Sequence, residues 1–267
     1  MPPDELRVNI RIIKQLTDKP FGVNFLPEGP QIEQLLEVVA EEEVRVVNYG
    51  IGNPQKVLEH AKAHGMIAMP TVGALRHAVK AEQDGADAVI VQGTEAGGHC
   101  SHVASMVLIP LVADKLKVPV IAAGGIGDAR GLMAALALGA EGISMGTRFA
   151  ITKESTVHPN FKRKLLESSE EDTVVTSHIT GLRVRVVRNP LAEAFMGLDE
   201  GKDRKKLLEL PGKMKRAVLE GDIERGSIGA GQICGMINDE PTCQELIERI
   251  VTGAEKVLER ITTKVLT

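Results

Sequence analysis

The chain has 267 residues, of which 43% are hydrophobic and 25% are charged, and its formal net charge is −4. This is the composition of a globular protein, and the acidic balance, with five Phe, one Tyr and no Trp, argues against nucleic-acid binding. Three Cys are too few for a disulfide framework, no stretch approaches the roughly 18 apolar residues of a membrane span, and we see no signal peptide. We therefore expect a cytoplasmic protein that binds neither nucleic acid nor a membrane.

One pattern repeats between residues 20 and 148: a short apolar run, a turn marked by Gly or Pro, and an amphipathic segment. The runs are continuously apolar, as in parallel strands covered on both faces. They predict strands at 21–25, 45–49, 66–71, 86–92, 118–123 and 142–146. The segments between them predict helices at 31–42, 54–64, 73–84, 104–116 and 129–138, after a first helix at 1–17. Such alternation indicates βαβ units.

Two α/β architectures accommodate this pattern. Six strands fit a doubly wound sheet without remainder, whereas a TIM (β/α)8 barrel needs two more strands than the chain shows. The number of strands leaves both architectures open, and the positions of the glycines must decide between them.

The pattern changes after residue 148. Short charged segments at 162–164, 167–172 and 199–206 are expected to face solvent, and two β-like segments, 174–177 and 183–187, flank Thr180-Gly181. Helices are predicted at 212–220, 226–237 and 242–263. We therefore divide the chain into a β/α domain, residues 1–154, and a mostly helical appendage, residues 155–267.

The densest chemical motif follows the fourth predicted strand. The strand ends at Gln92, and Gly97 and Gly98 then lead to His99. Active-site residues of α/β proteins lie at the carboxyl ends of strands, where Gly lets a ligand approach the backbone. A histidine there can act as a general acid or base near neutral pH.

Two further strand ends have the character of phosphate sites. Gly124 and Gly125 follow the fifth predicted strand, and the sixth ends in Ser144, Met145, Gly146 and Thr147. Backbone N–H groups at such turns and helix N-termini bind anions. In (β/α)8 barrels a phosphate site follows the last two strands, so this ordered pair favours the barrel.

Other cofactor motifs are incomplete. The segments 50–52 and 125–127 begin like dinucleotide fingerprints but lack the third Gly, and the chain has no P-loop. No metal site is expected, because neither 99–102 nor the pair His60 and His64 has a further ligand within sequence reach.

The chain resembles the nitronate monooxygenases, formerly called 2-nitropropane dioxygenases, over nearly its whole length. The resemblance rests on PFGVN at 20–24, VQGTEAGGH at 91–99, AAGGI at 122–126 and MGTRF at 145–149. Later segments, including 153–159 and 221–233, are equally similar to the flavin-dependent enoyl-acyl-carrier-protein reductases, which share the same fold.

The resemblance implies a TIM barrel that binds FMN noncovalently. By matching motif, Asn24 and Gln92 would contact the flavin ring or its polyol chain, and Gly97 would lie along the cofactor. The phosphate would be held by a larger set of residues, namely Gly124, Gly125, Ser144, Met145, Gly146 and Thr147. His99 would be the catalytic residue facing the flavin.

The sequence departs from the family at two places. The family's N-terminal strand–helix–strand is missing, so we expect a barrel short of two strands, whose exposed edges a homo-oligomer would cover. Cys100, Ser101 and His102 follow His99 where an Arg and a Gly are more usual.

The resemblance implies that the chain oxidises a small alkyl nitronate with O2 to a carbonyl compound and nitrite. An alternative is an FMN-dependent enoyl-acyl-carrier-protein reductase, the one case that would also require NAD(P)H. A second alternative is a truncated, flavin-free paralogue that acts as a binding partner.

Overall fold

The six strands that the apolar runs predict form one sheet, in which they follow each other in sequence order. The computed structural model describes residues 1–29, 31–176, 182–197 and 214–266. Its strands are β1 (Gly22–Phe25), β2 (Val46–Tyr49), β3 (Ile67–Val72), β4 (Val89–Gln92), β5 (Gly98–His99), β6 (Val120–Ala123), β7 (Gly142–Ser144), β8 (Thr173–Thr176) and β9 (Val184–Val187). The larger sheet has the order β1-β2-β3-β4-β6-β7, and its strands begin up to three residues later than predicted.

A helix lies between successive strands of this sheet, and further helices follow it. They are α1 (Pro3–Leu16), α2 (Ile32–Glu41), α3 (Gln55–Ala63), α4 (Leu75–Asp84), α5 (Ser105–Ala113), α6 (Ala129–Ala137), α7 (Thr147–Ala150), α8 (Pro159–Leu166), α9 (Pro190–Met196), α10 (Met214–Val218) and α11 (Cys243–Leu266). The helices predicted between the strands are confirmed. Helices α8 and α9 were not predicted from the sequence.

The strand order decides between the two architectures. A doubly wound sheet reverses its strand order at a switch point, whereas a β/α barrel adds each strand beside the previous one. The order is sequential, and the pairs β1–β2, β2–β3 and β3–β4 are parallel. The barrel-type arrangement is therefore confirmed.

The residues form two compact units, 1–91 with 111–121, and 92–110 with 122–267. The core of the first unit includes Val39, Val47 and Ala68, which are fully buried. Helix α1 is fastened by Glu42, whose buried carboxylate accepts hydrogen bonds from Arg7 and Arg11. The division that the sequence predicts at residue 154 stays a prediction.

The second unit contains an antiparallel sheet with the order β5-β9-β8. Strands β8 and β9 confirm the β-like pair predicted near 174–187, whereas the turn at Thr180-Gly181 and the charged segment 199–206 lie outside the described residues. Strand β5 joins this sheet through the register Gly98↔Arg185 and His99↔Val184. The described residues after 154 thus contain strands β8 and β9 as well as helices.

The helix predicted at 226–237 is wrong. Residues 226–231 run in an extended and turning path, and only Gln232–Met236 form a 3-10 helix. The reason is tight packing of a glycine-rich backbone: a Cβ on Gly226 would lie 2.4 Å from the Ala217 nitrogen, and Val187 N–H donates to the Ile228 carbonyl at 2.8 Å. These contacts replace the hydrogen bonds that a helix would make.

One residue of the charged segment 162–164 does not face solvent, whereas Arg163 does. Lys162, in α8, is 8% exposed, and its Nζ donates to the Thr152 carbonyl at 2.6 Å and to Glu240 Oε1 at 2.7 Å. The amine is buried because these two acceptors satisfy it. It fastens the chain before α11 to the chain before α8.

Helix α11 confirms the helix predicted at 242–263 and packs on α6. Leu246 and Ile250 are buried, and a Cβ on Gly253 would lie 2.7 Å from the Cβ of Ala129, so the two helices approach closely. Among the helices that the structure describes, none is both long enough and apolar enough to cross a membrane.

Candidate active site

The loop that follows β4 makes backbone hydrogen bonds to three other segments of the chain. Gly93 N–H donates to the Ala123 carbonyl at 2.9 Å, and Thr94 N–H donates to the Val103 carbonyl at 2.8 Å. The Glu95 carbonyl accepts the N–H of Gln232 at 3.0 Å. The loop is thus joined to the end of β6 and to the glycine-rich segment 226–231 that precedes Gln232.

Glu95 links this loop to α5 and to the loop after β6. Its carboxylate accepts the Ser105 N–H at 3.0 Å and the Ser105 hydroxyl at 2.9 Å, and Ser105 Oγ lies 3.0 Å from the Gly124 carbonyl oxygen. A carboxylate at a helix N-terminus is electrostatically favoured. In the sequence Glu95 is visible only as part of a motif and Ser105 carries no signal, because nothing local links residues ten positions apart.

Two glycines of the loop are required by close packing. A Cβ on Gly93 would lie 2.0 Å from Ser105 Oγ, and one on Gly97 would lie 2.4 Å from the backbone of Ala230. Such distances exclude any side chain unless the backbone moves. Gly97, expected to lie along the cofactor, is therefore also a packing position.

The loop after β6 presents backbone amides through a glycine turn. Gly124 and Gly125 have φ values of +96° and +73°, which L side chains rarely adopt. The Gly125 N–H donates to no acceptor among the described residues. The first turn of α6 is different, because the Asp128 carboxylate already accepts N–H groups there, from Arg130 at 2.9 Å and from Gly131 at 3.2 Å. Those two amides are therefore occupied and not free to bind an anion.

The segment after β7 is the second place where a backbone N–H group is available to a ligand. Ser144 and Met145 are half-buried, Gly146 is exposed, and a Cβ on Gly146 would have no atom of a described residue within 4 Å. The Gly146 N–H also donates to no described acceptor. Thr147 Oγ1 accepts the Gly231 N–H at 2.9 Å, which leaves its hydroxyl hydrogen to donate elsewhere. The segment after β7 therefore has open space beside Gly146 and is held by the hydrogen bond between Thr147 and Gly231.

The buried Arg148 provides part of that support. Its guanidinium donates to the Asp239 carbonyl at 3.1 Å and to Asp239 Oδ1 at 2.6 Å, and Arg148 is 5% exposed. An ion pair with such additional hydrogen bonds can compensate for desolvation. It ties the start of α7 to the segment before α11.

His99 lies on β5, opposite Val184 of β9. It is half-buried, and burial lowers the pKa of its imidazole below the ordinary value. The ring is therefore neutral at pH 7, the form that can accept a proton.

The other two predicted flavin contacts lie at strand positions. Gln92 is the half-buried last residue of β4. Asn24 is exposed on β1 and belongs to the first unit.

The residues of the second unit fit a flavin mononucleotide. The unpaired N–H groups of Gly125 and Gly146 and the hydroxyl of Thr147 are donors suited to a phosphate, and the space beside Gly146 would be filled by any side chain. With an unpaired N–H after each of β6 and β7 and a neutral histidine on β5, the chain has the features of a β/α-barrel enzyme that binds a phosphate-bearing cofactor.

The comparison with known families is more specific. The family model described as nitronate monooxygenase matches residues 26–253, and the chain belongs to this family. It is accordingly a flavin-dependent oxidoreductase, which sets aside the flavin-free alternative.

Individual relatives differ in their named activities. FabK from Thermotoga maritima is 42% identical in sequence, with a TM-score of 0.94 over 99% of this chain and 85% of that chain. The (3aS,4S,5R,7aS)-5-hydroxy-7a-methyl-1-oxo-octahydro-1H-indene-4-carboxyl-CoA dehydrogenase of Rhodococcus jostii strain RHA1 is 34% identical over 96% of this chain and 84% of its own length. A probable nitronate monooxygenase of Staphylococcus saprophyticus is 31% identical over 96% and 86%, respectively. The similarity to FabK confirms the β/α-barrel fold.

Proposed function

We propose that the chain is an FMN-dependent nitronate monooxygenase that oxidises small alkyl nitronates with O2 to a carbonyl compound and nitrite. The observation that carries the proposal is the half-buried His99, whose neutral imidazole follows the glycine loop of β4. The match of the family model over residues 26–253 supports the same chemistry.

The cofactor site is part of this proposal. Gly124, Gly125, Ser144, Met145, Gly146 and Thr147 hold the FMN phosphate. Gln92 and Gly97, which belong to the same unit, contact the ring system or the polyol chain. When bound, the flavin supplies the electron-transfer chemistry that no side chain of the protein can supply. The protein positions the cofactor, and the hydrogen bonds between Glu95 and Ser105 hold the glycine loops after β4 and β6 in fixed positions relative to each other.

His99 acts on the substrate. Its neutral imidazole accepts the α-proton of a nitroalkane, which leaves the nitronate anion beside an imidazolium cation; with a preformed nitronate it orients the anion. Because burial lowers its pKa, the imidazole is unprotonated at neutral pH and can accept a proton in the first role.

The test replaces His99 with Ala and measures O2 consumption and nitrite release with propyl-2-nitronate. We expect turnover to be lost while the purified protein keeps its visible flavin absorbance. His102→Ala is the matched control, since His102 is an exposed histidine three residues away. Unchanged turnover in His99→Ala would refute the assignment of His99.

A second candidate is the reduction of an enoyl thioester by NAD(P)H through FMN. The specific observations in its favour are the resemblance of segments 153–159 and 221–233 to the flavin-dependent enoyl-acyl-carrier-protein reductases and the 34% identity to an enzyme named for a CoA thioester. The two candidates are separated by comparing oxidation of NADH or NADPH in the presence of crotonyl thioester with O2 consumption in the presence of propyl-2-nitronate. Thioester-dependent NAD(P)H oxidation without nitronate-dependent O2 consumption would replace the first candidate with the second.

A further inference from the structure

Two arginines, Arg185 on β9 and Arg183 just before it, lie on one face beside the candidate active site. Gly98 lies opposite Arg185 in the antiparallel register, and the Cys100 N–H donates to the Arg183 carbonyl at 3.1 Å, which continues the same ladder. Residues directly opposite in such a ladder share a face of the sheet, and residues two apart on one strand share it as well. Cys100, Arg183 and Arg185 are therefore neighbours on one face.

Arg185 is a buried cation without a counter-ion. It is 7% exposed, and it donates from Nε to the Thr94 carbonyl at 3.1 Å and from Nη1 to Thr173 Oγ1 at 2.9 Å. No carboxylate among the described residues pairs with it, and the carboxylate of nearby Glu95 already accepts hydrogen bonds from Ser105. A buried charge that lacks an opposite charge is costly unless a ligand supplies one.

Arg183 has even fewer partners. Within the part of the chain that the structure describes, its side chain makes no hydrogen bond or ion pair, and its Nε is buried without an acceptor. Opposite Arg185 the position of Gly98 is open, because a Cβ there would meet no atom of a described residue within 4 Å. Two guanidinium groups with unused donors thus border an open position.

We propose that Arg183 and Arg185 form an oxyanion site beside Cys100, which binds a phosphate or carboxylate group of a substrate or of a nicotinamide nucleotide. Guanidinium groups suit such ligands, because their planar donors match two oxygens at once. The site is distinct from the glycine loops proposed for the FMN phosphate, and it does not depend on which of the two reactions the enzyme performs.

The test uses Cys100 as a reporter in the flavin-loaded protein. Iodoacetate is an anion and iodoacetamide is neutral, so the ratio of their alkylation rates at one thiol measures the local attraction for anions. Cys243 is an internal control, since it is also partly exposed but its N–H donates to the Glu154 carboxylate. We expect the ratio at Cys100 to exceed that at Cys243 by about fivefold, the effect of a partly exposed charge pair.

Two variants establish the cause. Arg183→Gln should bring the ratio at Cys100 down towards that at Cys243, whereas Arg183→Lys should keep most of it, because Lys retains the charge. The Arg183 side chain makes no hydrogen bond or ion pair with a described residue, so both variants should fold. Equal ratios at the two cysteines, no effect of Arg183→Gln, or no alkylation of Cys100 by either reagent would overturn the proposal.

Protection experiments identify the source of the anion. Inorganic pyrophosphate, coenzyme A and NADP⁺ are each tested for slowing of Cys100 alkylation by iodoacetamide. Protection by coenzyme A alone assigns the site to a thioester carrier, protection by NADP⁺ alone assigns it to a nucleotide, and protection by pyrophosphate or by several probes supports a general oxyanion site. Failure of all three to protect would also overturn the proposal.

Discussion

The Glu95 carboxylate accepts both the backbone N–H and the hydroxyl of Ser105, at 3.0 and 2.9 Å. Because Ser105 Oγ also lies 3.0 Å from the Gly124 carbonyl oxygen, this one pair couples the loop after β4 to the loop after β6. The proposed cofactor contacts on the two loops therefore depend on this residue pair.

Glu95→Ala should destabilise the protein by about 1–3 kcal/mol, because it leaves the Ser105 donors without an acceptor. It should also weaken FMN binding, since the glycine loops lose their common support. Urea unfolding and a fluorescence titration of the apoprotein with FMN measure the two effects. Glu141→Ala, at an exposed position of the same unit, is the control, and an unchanged FMN affinity in Glu95→Ala would contradict the coupling.

Gly97→Ala should destabilise the protein by about 1–3 kcal/mol, the usual range for overpacking. The added Cβ would lie 2.4 Å from the backbone of Ala230, where no flexible side chain can move aside. Thermal unfolding of the apoprotein measures the loss independently of the cofactor. A melting temperature equal to that of the parent protein would show that the segment 226–231 yields easily, and the packing role of Gly97 would then be wrong.

Gly146→Ala should have the opposite pattern. Its Cβ would meet no described atom within 4 Å, so the stability of the apoprotein should change by less than about 0.5 kcal/mol. If the phosphate occupies that space, the affinity for FMN should fall by about tenfold, which corresponds to roughly 1.4 kcal/mol. Parent-like FMN affinity in this variant would remove Gly146 from the phosphate site.

The pH dependence of turnover should report the titration of His99. Burial lowers the pKa of this imidazole, so protonation removes the base only when the pH falls below the ordinary histidine value of about 6.5. With a neutral nitroalkane as substrate, kcat/KM should be level at neutral pH and decline towards acid. His99→Gln should abolish the inflection and His102→Gln should keep it, whereas an inflection above the ordinary value would contradict the burial of His99.

The sequence predicted the strands well where the physical signal is local. Continuous apolar runs such as 86–92 and 118–123 mark strands because both of their faces are covered, and β4 and β6 lie within them. Strand β5 was missed because Gly98 and His99 carry no apolar pattern and pair with residues 184–185, far along the chain. The segment 226–237 was predicted as a helix from its residue pattern, and that pattern gives no information about how closely its glycine backbone packs against distant segments.

Some features of the candidate site could be predicted from the sequence and others could not. Glycine turns after strands and a histidine beside them are visible in the sequence, and the structure finds unpaired N–H groups at Gly125 and Gly146. The occupied first turn of α6 was not anticipated, because only the structure shows the Asp128 carboxylate accepting hydrogen bonds there. Arg185 was overlooked because its burial depends on contacts between distant segments.

Gly231 N–H donates to Thr147 Oγ1, and Gln232 N–H donates to the Glu95 carbonyl. These two hydrogen bonds affect the order in which parts of the site form during synthesis of the chain. The residues proposed to bind FMN have all left the ribosome once Thr147 has emerged, yet two of their supports arrive some 85 residues later. A nascent chain therefore carries every cofactor motif well before it can hold the loops in their final positions. Flavin capture then belongs to the last stage of synthesis.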